Sequence, residues 1–347
     1  MDDCSSICSF NGGSSRQSFD ERNYIKGIAR KKINDTFSYF IIKTNTPVSD
    51  SHLQRIYKLN IPPAWINVWV SINPKSHIQA IGVDEKGRKQ YLYHKTHIKN
   101  AEKTKFLRLL DFITSLPKLE SNMKKHNTLS FFDKNKVIVT ILKIVKELHL
   151  RVGKEKYARE NKSYGISSLK KTHVKIYGDL IRFNFKGKSN KRLNYSLYNN
   201  SVKNHIQLLL TLEGEKLFQY IYDNKVKQIS DYDLNNYVQK FMGKQFTIKD
   251  FRTYAANYYF VKALLHETSL RNPDTDKKIH TNVTNALNTT AFYMRHTRAI
   301  SKKSYVMGFC IDLYHSSPKL FISNVNNDPD KLLLTILKLY RSKILAK

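Results

Sequence analysis

The chain has 347 residues and a formal charge of +32, from 60 Lys and Arg against 28 Asp and Glu. With 41% apolar residues, 21 Tyr and 18 Phe, it has the composition of a globular protein rather than a disordered one, and it is long enough for two domains with sizeable cores. The positive charge is spread along the chain, which predicts a broad basic surface facing a polyanion, because so large an excess repels itself unless a polyanion offsets it. The other reading is a solvated lysine-rich surface in a chain also rich in Asn and Ile.

Three cysteines exclude a disulfide framework. Cys4 and Cys8 lie in a polar stretch without histidines at zinc-ligand spacing, and Cys310 stands in an apolar run as a core residue. This usage suits a reducing, intracellular compartment. The first residues, Met1-Asp-Asp-Cys-Ser-Ser, are read as lacking a secretory signal, and no apolar stretch is long enough to span a bilayer. No basic amphipathic anchor or lipidation signal supports a membrane surface as the polyanion.

Residues 1–20 are rich in Ser and Gly, lack periodicity and are expected to be disordered. From 21 to 97 the pattern favours short strands: Phe37-Ser-Tyr-Phe-Ile-Ile, Ile66-Asn-Val-Trp-Val after the breaker Pro62-Pro63, Ile78-Gln-Ala-Ile-Gly-Val before a turn at Asp84-Glu-Lys-Gly87, and Arg88-Lys-Gln-Tyr-Leu-Tyr93. Side chains alternate along a strand, so Tyr91 and Tyr93 share a face. Arg88 and Gln90 are assigned to that same face, making a surface that can reach phosphates and base edges. An ordinary amphipathic surface strand is the alternative.

A polar connection around His94–Thr104 precedes helical patterns. Phe106, Leu109, Leu110 and Ile113 recur at helix spacing, and Val137, Ile138, Ile141, Leu142, Val145 and Leu148 form an apolar face between Lys134 and His149. His173-Val-Lys-Ile-Tyr, Gly178-Asp179 and Leu180-Ile-Arg-Phe-Asn-Phe read as a hairpin. Lys186-Gly-Lys188-Ser-Asn is a second turn leading to Leu193-Asn-Tyr-Ser-Leu-Tyr. From about 203 the chain is mostly helical. It ends in an amphipathic segment with Asp328 as N-cap and Pro329 at the first helical position, read as a packed or capping helix from Leu332 to Leu345. No internal repeat is present. The fold class expected is α+β: a small β-rich N-terminal domain over 21–97, a linker over 98–104, and a larger, mainly α-helical catalytic domain over 105–347 carrying a small sheet.

Two segments bear chemistry: Lys249-Asp-Phe-Arg252-Thr-Tyr, and His296 followed nine residues later by Tyr305 in basic surroundings. Cutting a phosphodiester with a side-chain nucleophile needs an in-line attacker, neutralisation of the charge on the phosphorane, and a proton for the departing oxygen. The sequence has no obvious metal-binding cluster of carboxylates or histidines, so arginines are the natural groups for the second task. A guanidinium is planar, donates two bonds to phosphate oxygens and stays charged. There is no Gly-x-x-x-x-Gly-Lys-Ser/Thr loop for a nucleotide.

Over residues 60–310 the chain resembles the type IB DNA topoisomerases of the small poxvirus and giant-virus kind. The resemblance rests on Ile61-Pro-Pro-Ala-Trp65, Gly87-Arg-Lys-Gln-Tyr-Leu-Tyr93, Arg151-Val-Gly-Lys-Glu-Lys-Tyr157, Phe185-Lys-Gly-Lys188, Lys249 through Arg252, and His296 through Tyr305. Each motif is weak alone; six in the family's order with compatible spacings are strong. The resemblance implies that Tyr305 is the nucleophile joined to a DNA 3′-phosphate. Arg151 and Arg252 would clamp the non-bridging oxygens, His296 would donate to one of them, and Lys188 would protonate the leaving 5′-oxygen with help from Arg151. Lys249 would contact DNA near the scissile phosphate. Arg88, Gln90, Tyr91, Tyr93, Lys154 and Tyr157 match positions expected to touch DNA. Ser189 stands where poxvirus relatives tend to have an acidic residue, which alters hairpin contacts but no catalytic role.

The implied activity is relaxation of positive and negative supercoils without ATP, metal or another cofactor, by strand rotation about a 3′-phosphotyrosine. The partner is double-stranded DNA, encircled by a monomer as a C-shaped clamp. A viral member would act in a cytoplasmic replication factory or the virion. A tyrosine recombinase would use the same chemistry, but usually carries His-x-x-Arg where this chain has Lys249-x-x-Arg252. A non-catalytic basic DNA-binding protein would have no use for the full set of Arg, Lys, Arg, His and Tyr.

Overall fold

The computed structural model describes residues 26–346. The chain divides into two compact units, before and after the Thr104/Lys105 bond. The expected disordered stretch 1–20, with Cys4 and Cys8, lies outside the described residues.

The first unit is a five-stranded antiparallel sheet with order β2-β1-β3-β4-β5, formed by β1 (Gly27–Ile33), β2 (Thr36–Ile41), β3 (Ile66–Ser71), β4 (Ile78–Val83) and β5 (Lys89–Tyr93). The β1–β2 connection is Asn34-Asp35 with φ of 44° and 62°, two positive values in a row as a tight hairpin demands. A helix, α1 (Asp50–Lys58), buries Ile56 against Ile28, Tyr39, Val68, Val70 and Ala80. Two features here differ from the sequence reading. The strand-only expectation for 21–97 omitted α1. The polar stretch 98–104, read as a linker, is helical: α2 runs unbroken from Lys95 to His126, and the division between the units falls inside it. Lys, Glu and Thr dominate that stretch and keep it polar, but only Gly, Pro or a run of β-branched residues would have stopped a helix there.

The second unit has one large core, from Phe106 through Leu337, and a small separate cluster of Ala255, Ala256 and Met294 with Tyr259 and Tyr305 packed against it. After α2 comes α3 (Lys134–Leu148), whose N-cap Asp133 accepts from the Asn135 and Lys136 amides. A short α4 (Glu155–Asn161) leads into a three-stranded antiparallel sheet, β6 (Val174–Tyr177), β7 (Leu180–Lys186) and β8 (Arg192–Tyr198), in sequential order. Phe183, Phe185, Tyr195 and Leu197 face its core side, as the alternating pattern requires. Helix α5 (Asn200–Thr211) follows. The hairpin β9 (Gln219–Tyr222) and β10 (Lys225–Gln228) interrupts the helical region expected from 203 onward. Helices α6 (Asp231–Met242), α7 (Ile248–Leu270) and α8 (Asp276–Met294) complete the frame, with α7 and α8 packed side by side. Beyond them lie a three-residue α9 (Arg298–Ile300), α10 (Gly308–Ser316), α11 (Pro318–Ile322) and the terminal α12 (Pro329–Leu345). Asp328 caps α12 through the Asp330 amide. Leu332, Leu333, Ile336 and Leu337 are at most 1% exposed, so α12 packs on its own chain, against α7. At roughly 1.5–3 kcal/mol for each buried aliphatic side chain, these four residues hold it firmly.

Candidate active site

Arg252 lies on the second turn of α7, whose start Asp250 ties down: the Thr247 amide and hydroxyl both donate to Asp250 Oδ2, at 2.9 and 3.0 Å. The other Asp250 oxygen accepts from Arg108 at 2.8 Å. Arg252 is only 4% exposed. Its guanidinium donates to the His149 carbonyl and, at 3.2 Å, to the Met294 carbonyl. These are the carbonyls at the C-terminal ends of α3 and α8, and both helices stop at a left-handed residue, His149 (φ 53°) and Arg295 (φ 53°). The stops turn the chain sharply. Arg151 follows the first by two residues and His296 follows the second directly.

Tyr305 ends a single π-type turn, Ser301–Tyr305, closed by the Val306 amide donating to the Ser301 carbonyl at 2.9 Å. Such widened turns occur frequently at functional sites. The Tyr305 ring stacks on the His296 imidazole, with centroids 4.8 Å apart and planes 17° off parallel, and the Arg252 guanidinium carbon is 5.6 Å from the ring centre. Burial pushes the Tyr305 phenol up. The charge and hydrogen bond of Arg252, with the charges of Arg151 and Lys249, outweigh it and leave the phenol below its ordinary value. Burial, together with Arg252, Arg151 and Lys191, drives His296 down to about 4 against a weaker opposing pull from the Thr297 carbonyl, so the ring is neutral at physiological pH. His149 is likewise held at about 4, by burial and then by Arg252. Arg252 Nε and His296 Nε2 are buried without a protein partner. Buried polar atoms of that kind require an explanation, and an anionic ligand at the site would supply one.

The other sequence candidates divide. Arg151 and Lys249 lie close enough for their charges to bear on Tyr305. The Arg151 segment is pinned by the Ile166 amide, which donates to the Arg151 carbonyl at 2.8 Å, and by the Ser167 amide on the Val152 carbonyl at 2.9 Å. Gly153 (φ +84°) and Gly165 make the crossing possible: a Cβ on Gly165 would fall 2.4 Å from the Gly153 nitrogen. Lys188 is exposed on the β7–β8 turn, beside Ser189 (φ 63°) and Asn190 (φ 59°). The hairpin lysine whose charge reaches His296 is Lys191.

Among the expected DNA-contact residues, Lys154 is exposed as the N-cap of α4, and Tyr157 is exposed on its first turn. In the first unit Tyr91 and Tyr93 are stacked, with centroids 6.0 Å apart, and Tyr93 continues onto His97 at 5.4 Å. The assignment of Arg88 and Gln90 to the Tyr91–Tyr93 face is wrong. Gln90 and Tyr91 are neighbours in β5, so their side chains leave opposite faces. Gln90 instead donates to Asp84 Oδ2 at 2.8 Å, and Arg88 pairs with the same carboxylate at 2.6 Å.

Three residues near the site escaped the sequence reading. Asn257, 1% exposed on α7, donates to the Tyr305 carbonyl at 3.0 Å and accepts from the Met307 amide at 2.9 Å, spanning the backbone that carries Tyr305. The Tyr259 hydroxyl lies 3.1 Å from His149 Nε2, and its ring stacks on Tyr293 at 4.3 Å. Ser301, fully buried, places Oγ 3.1 Å from His296 Nδ1. An asparagine inside an otherwise apolar helix face was the one available signal, because a buried amide must find partners.

Comparison with known proteins agrees along the chain. The family described as eukaryotic DNA topoisomerase I, catalytic core, matches residues 93–308, and bacterial DNA topoisomerase IB, N-terminal domain, matches residues 36–84. The DNA topoisomerase 1B of Acanthamoeba polyphaga mimivirus is 51% identical over 335 residues, covering 95% of this chain and 100% of the relative. The DNA topoisomerase I of Monkeypox virus is 28% identical over 233 residues, covering 65% of this chain and 69% of the relative, and the DNA topoisomerase 1B of Vaccinia virus matches to the same extent. With family matches spanning both units and a relative aligned over nearly its whole length, the chain belongs to the type IB DNA topoisomerases.

Proposed function

We propose that this isomerase relaxes positive and negative supercoils by a transient single-strand break carried as a 3′-phosphotyrosine on Tyr305, without ATP or metal. The observation that carries the reading is the stack of Tyr305 on His296 beside the buried Arg252 fork. The phenol oxygen attacks the scissile phosphorus as its proton passes to water, a step eased by the lowered phenol pKa. Arg252 and Arg151 neutralise the non-bridging oxygens, and neutral His296 donates a hydrogen bond to one of them. Lys188 gives its proton to the departing O5′, with Arg151 assisting. One P–O bond forms as another breaks, so the exchange is near balance and needs no nucleotide hydrolysis. The downstream duplex rotates, and the 5′-hydroxyl attacks back to release Tyr305.

The enzyme acts on double-stranded DNA as a monomer closed around it. Tyr91 and Tyr93 in the first unit and Lys154, Tyr157 and Lys249 in the second contact the duplex, whereas Arg88 and Gln90 are held by Asp84. A formal charge of +32 supports binding dominated by phosphates. Recombination through an exchanged C-terminal helix gains no support, since α12 packs within its own chain. The test is plasmid relaxation in a chelator without ATP. The native protein relaxes both signs of supercoil, Tyr305→Phe abolishes relaxation while retaining DNA binding, and a Tyr305→Phe protein that still relaxes plasmid refutes the assignment.

A further inference from the structure

We infer that Ser301 is a positioning residue that fixes the tautomer of His296, keeping the imidazole proton on Nε2 where it faces the scissile phosphate. The inference rests on the transesterification reading above. Two groups compete for Nδ1 of His296: the Ser301 hydroxyl at 3.1 Å and the Thr297 carbonyl at 3.3 Å. They impose opposite answers. A carbonyl only accepts, so it would draw the proton onto Nδ1. A hydroxyl can donate, which leaves Nδ1 bare and puts the proton on Nε2.

Burial decides between them. Ser301 is 0% exposed, and among the described residues its hydroxyl has one hydrogen-bond partner, Nδ1 of His296. If Nδ1 carried the proton, the serine oxygen would accept it and its own hydrogen would be buried without an acceptor. The serine must donate. The other edge of the ring gives the same answer. Nε2 is buried with no protein partner and belongs to a ring stacked on Tyr305. As N–H it offers a donor to an anionic oxygen; as a bare lone pair it would repel that oxygen. The ring is neutral, so a second proton cannot fill both positions.

The π-type turn makes the contact possible. The Ser301 amide donates to the Thr297 carbonyl at 2.9 Å and its own carbonyl accepts from Val306 at 2.9 Å, so its backbone is fixed at both ends. Its side chain then meets the imidazole from the edge opposite Nε2. Ser301 exchanges no proton in the reaction. Removing its hydroxyl leaves the Thr297 carbonyl as the sole neighbour of Nδ1, and the proton moves there.

The test is nitrogen-15 NMR of histidine-labelled enzyme, with the His296 signals assigned by their loss in His296→Ala, and single-turnover cleavage of a suicide duplex. In the native enzyme Nε2 is protonated and Nδ1 is not, and in Ser301→Ala the pattern inverts. Ser301→Ala cleaves slower by roughly 10- to 100-fold, approaching the loss of one transition-state donor, and costs nothing further in a His296→Ala background. A native ring protonated on Nδ1, an unchanged pattern in Ser301→Ala, or an equal rate loss with and without His296 overturns the inference. The tautomer is read on the native enzyme itself, and His296→Gln supplies the assignment should His296→Ala fail to fold. Relaxation by Tyr305→Phe would refute the reaction itself without touching the tautomer measurement.

Discussion

Replacing Asn257 with alanine separates the holding of Tyr305 from the chemistry proposed for it. The Asn257 amide touches neither the phenol oxygen nor the charged groups. It donates to the Tyr305 carbonyl at 3.0 Å and accepts from the Met307 amide at 2.9 Å. Alanine leaves both backbone groups without a partner in a buried setting, at about 1–3 kcal/mol each, so the expected loss is about 3–4 kcal/mol. For a unit of this size that lowers Tm by roughly 6–15 °C. A misplacement of about 1 Å at a reacting group costs on the order of 10²-fold in rate. The variant, assayed well below its Tm, should form the covalent adduct about 100-fold slower in a single-turnover suicide-substrate reaction, with duplex binding retained. Asn257→Asp sharpens the test. It keeps the acceptor for Met307 but sets a carboxylate oxygen against the Tyr305 carbonyl, so it should be at least as slow as alanine. Adduct formation at the native rate by either variant, with the Tm lowered as expected, would show that the Tyr305 backbone is not held by this clamp.

Lys188→Ala should slow cleavage of an ordinary duplex by about 10²- to 10⁴-fold, and a 5′-bridging phosphorothiolate should restore the rate, because sulfur leaves without a proton; failure of the rescue removes Lys188 as the acid. Gly165→Ala should displace the Arg151 segment, since the new Cβ would lie 2.4 Å from the Gly153 nitrogen and 2.6 Å from the Arg151 carbonyl; a variant with native adduct rate and unchanged Tm contradicts the close crossing. Acid should destabilise the fold before carboxylates titrate. His149 and His296 are held near 4 in the fold against about 6.5 when unfolded, so the unfolded chain binds more protons between those values. Stability is then full above about 6.5 and falls as pH drops towards 4, by about 3 kcal/mol for His149, and a flat denaturation midpoint across that window would count against the buried neutral rings.

Legibility from sequence followed the physics of each element. Apolar periodicity located α3, the β6–β8 sheet and α12, because each buries one regular face. It failed at β1, where Arg30-Lys31-Lys32 hides a strand. The Arg30 side chain is structural there, donating to the Pro62 and Pro63 carbonyls at 3.2 and 3.3 Å. It failed again at the β9–β10 hairpin, although Asp223-Asn224, both at φ 53°, carried the turn signal. Within the site, Arg252, His296 and Tyr305, which the structure brings together, belong to short motifs that the sequence displays. Asn257, Tyr259 and Ser301 hold backbone or a ring edge, and apart from the asparagine set in a largely apolar helix no residue type or spacing announces such a contact before folding.

The two left-handed stops beneath Arg252 set where the protein can change length. His149 and Met294 present their carbonyls to one guanidinium, so α3 and α8 must end in register with α7. One residue inserted within either helix turns its end by about 100° and advances it by about 1.5 Å, which carries Arg151 or His296 away from Arg252 and Tyr305. Substitutions on the outer faces of these helices leave that register intact, whereas insertions far from any reacting atom do not. Drift in length is confined to the loops, and the spacing from cap to cap acts as the ruler of the site.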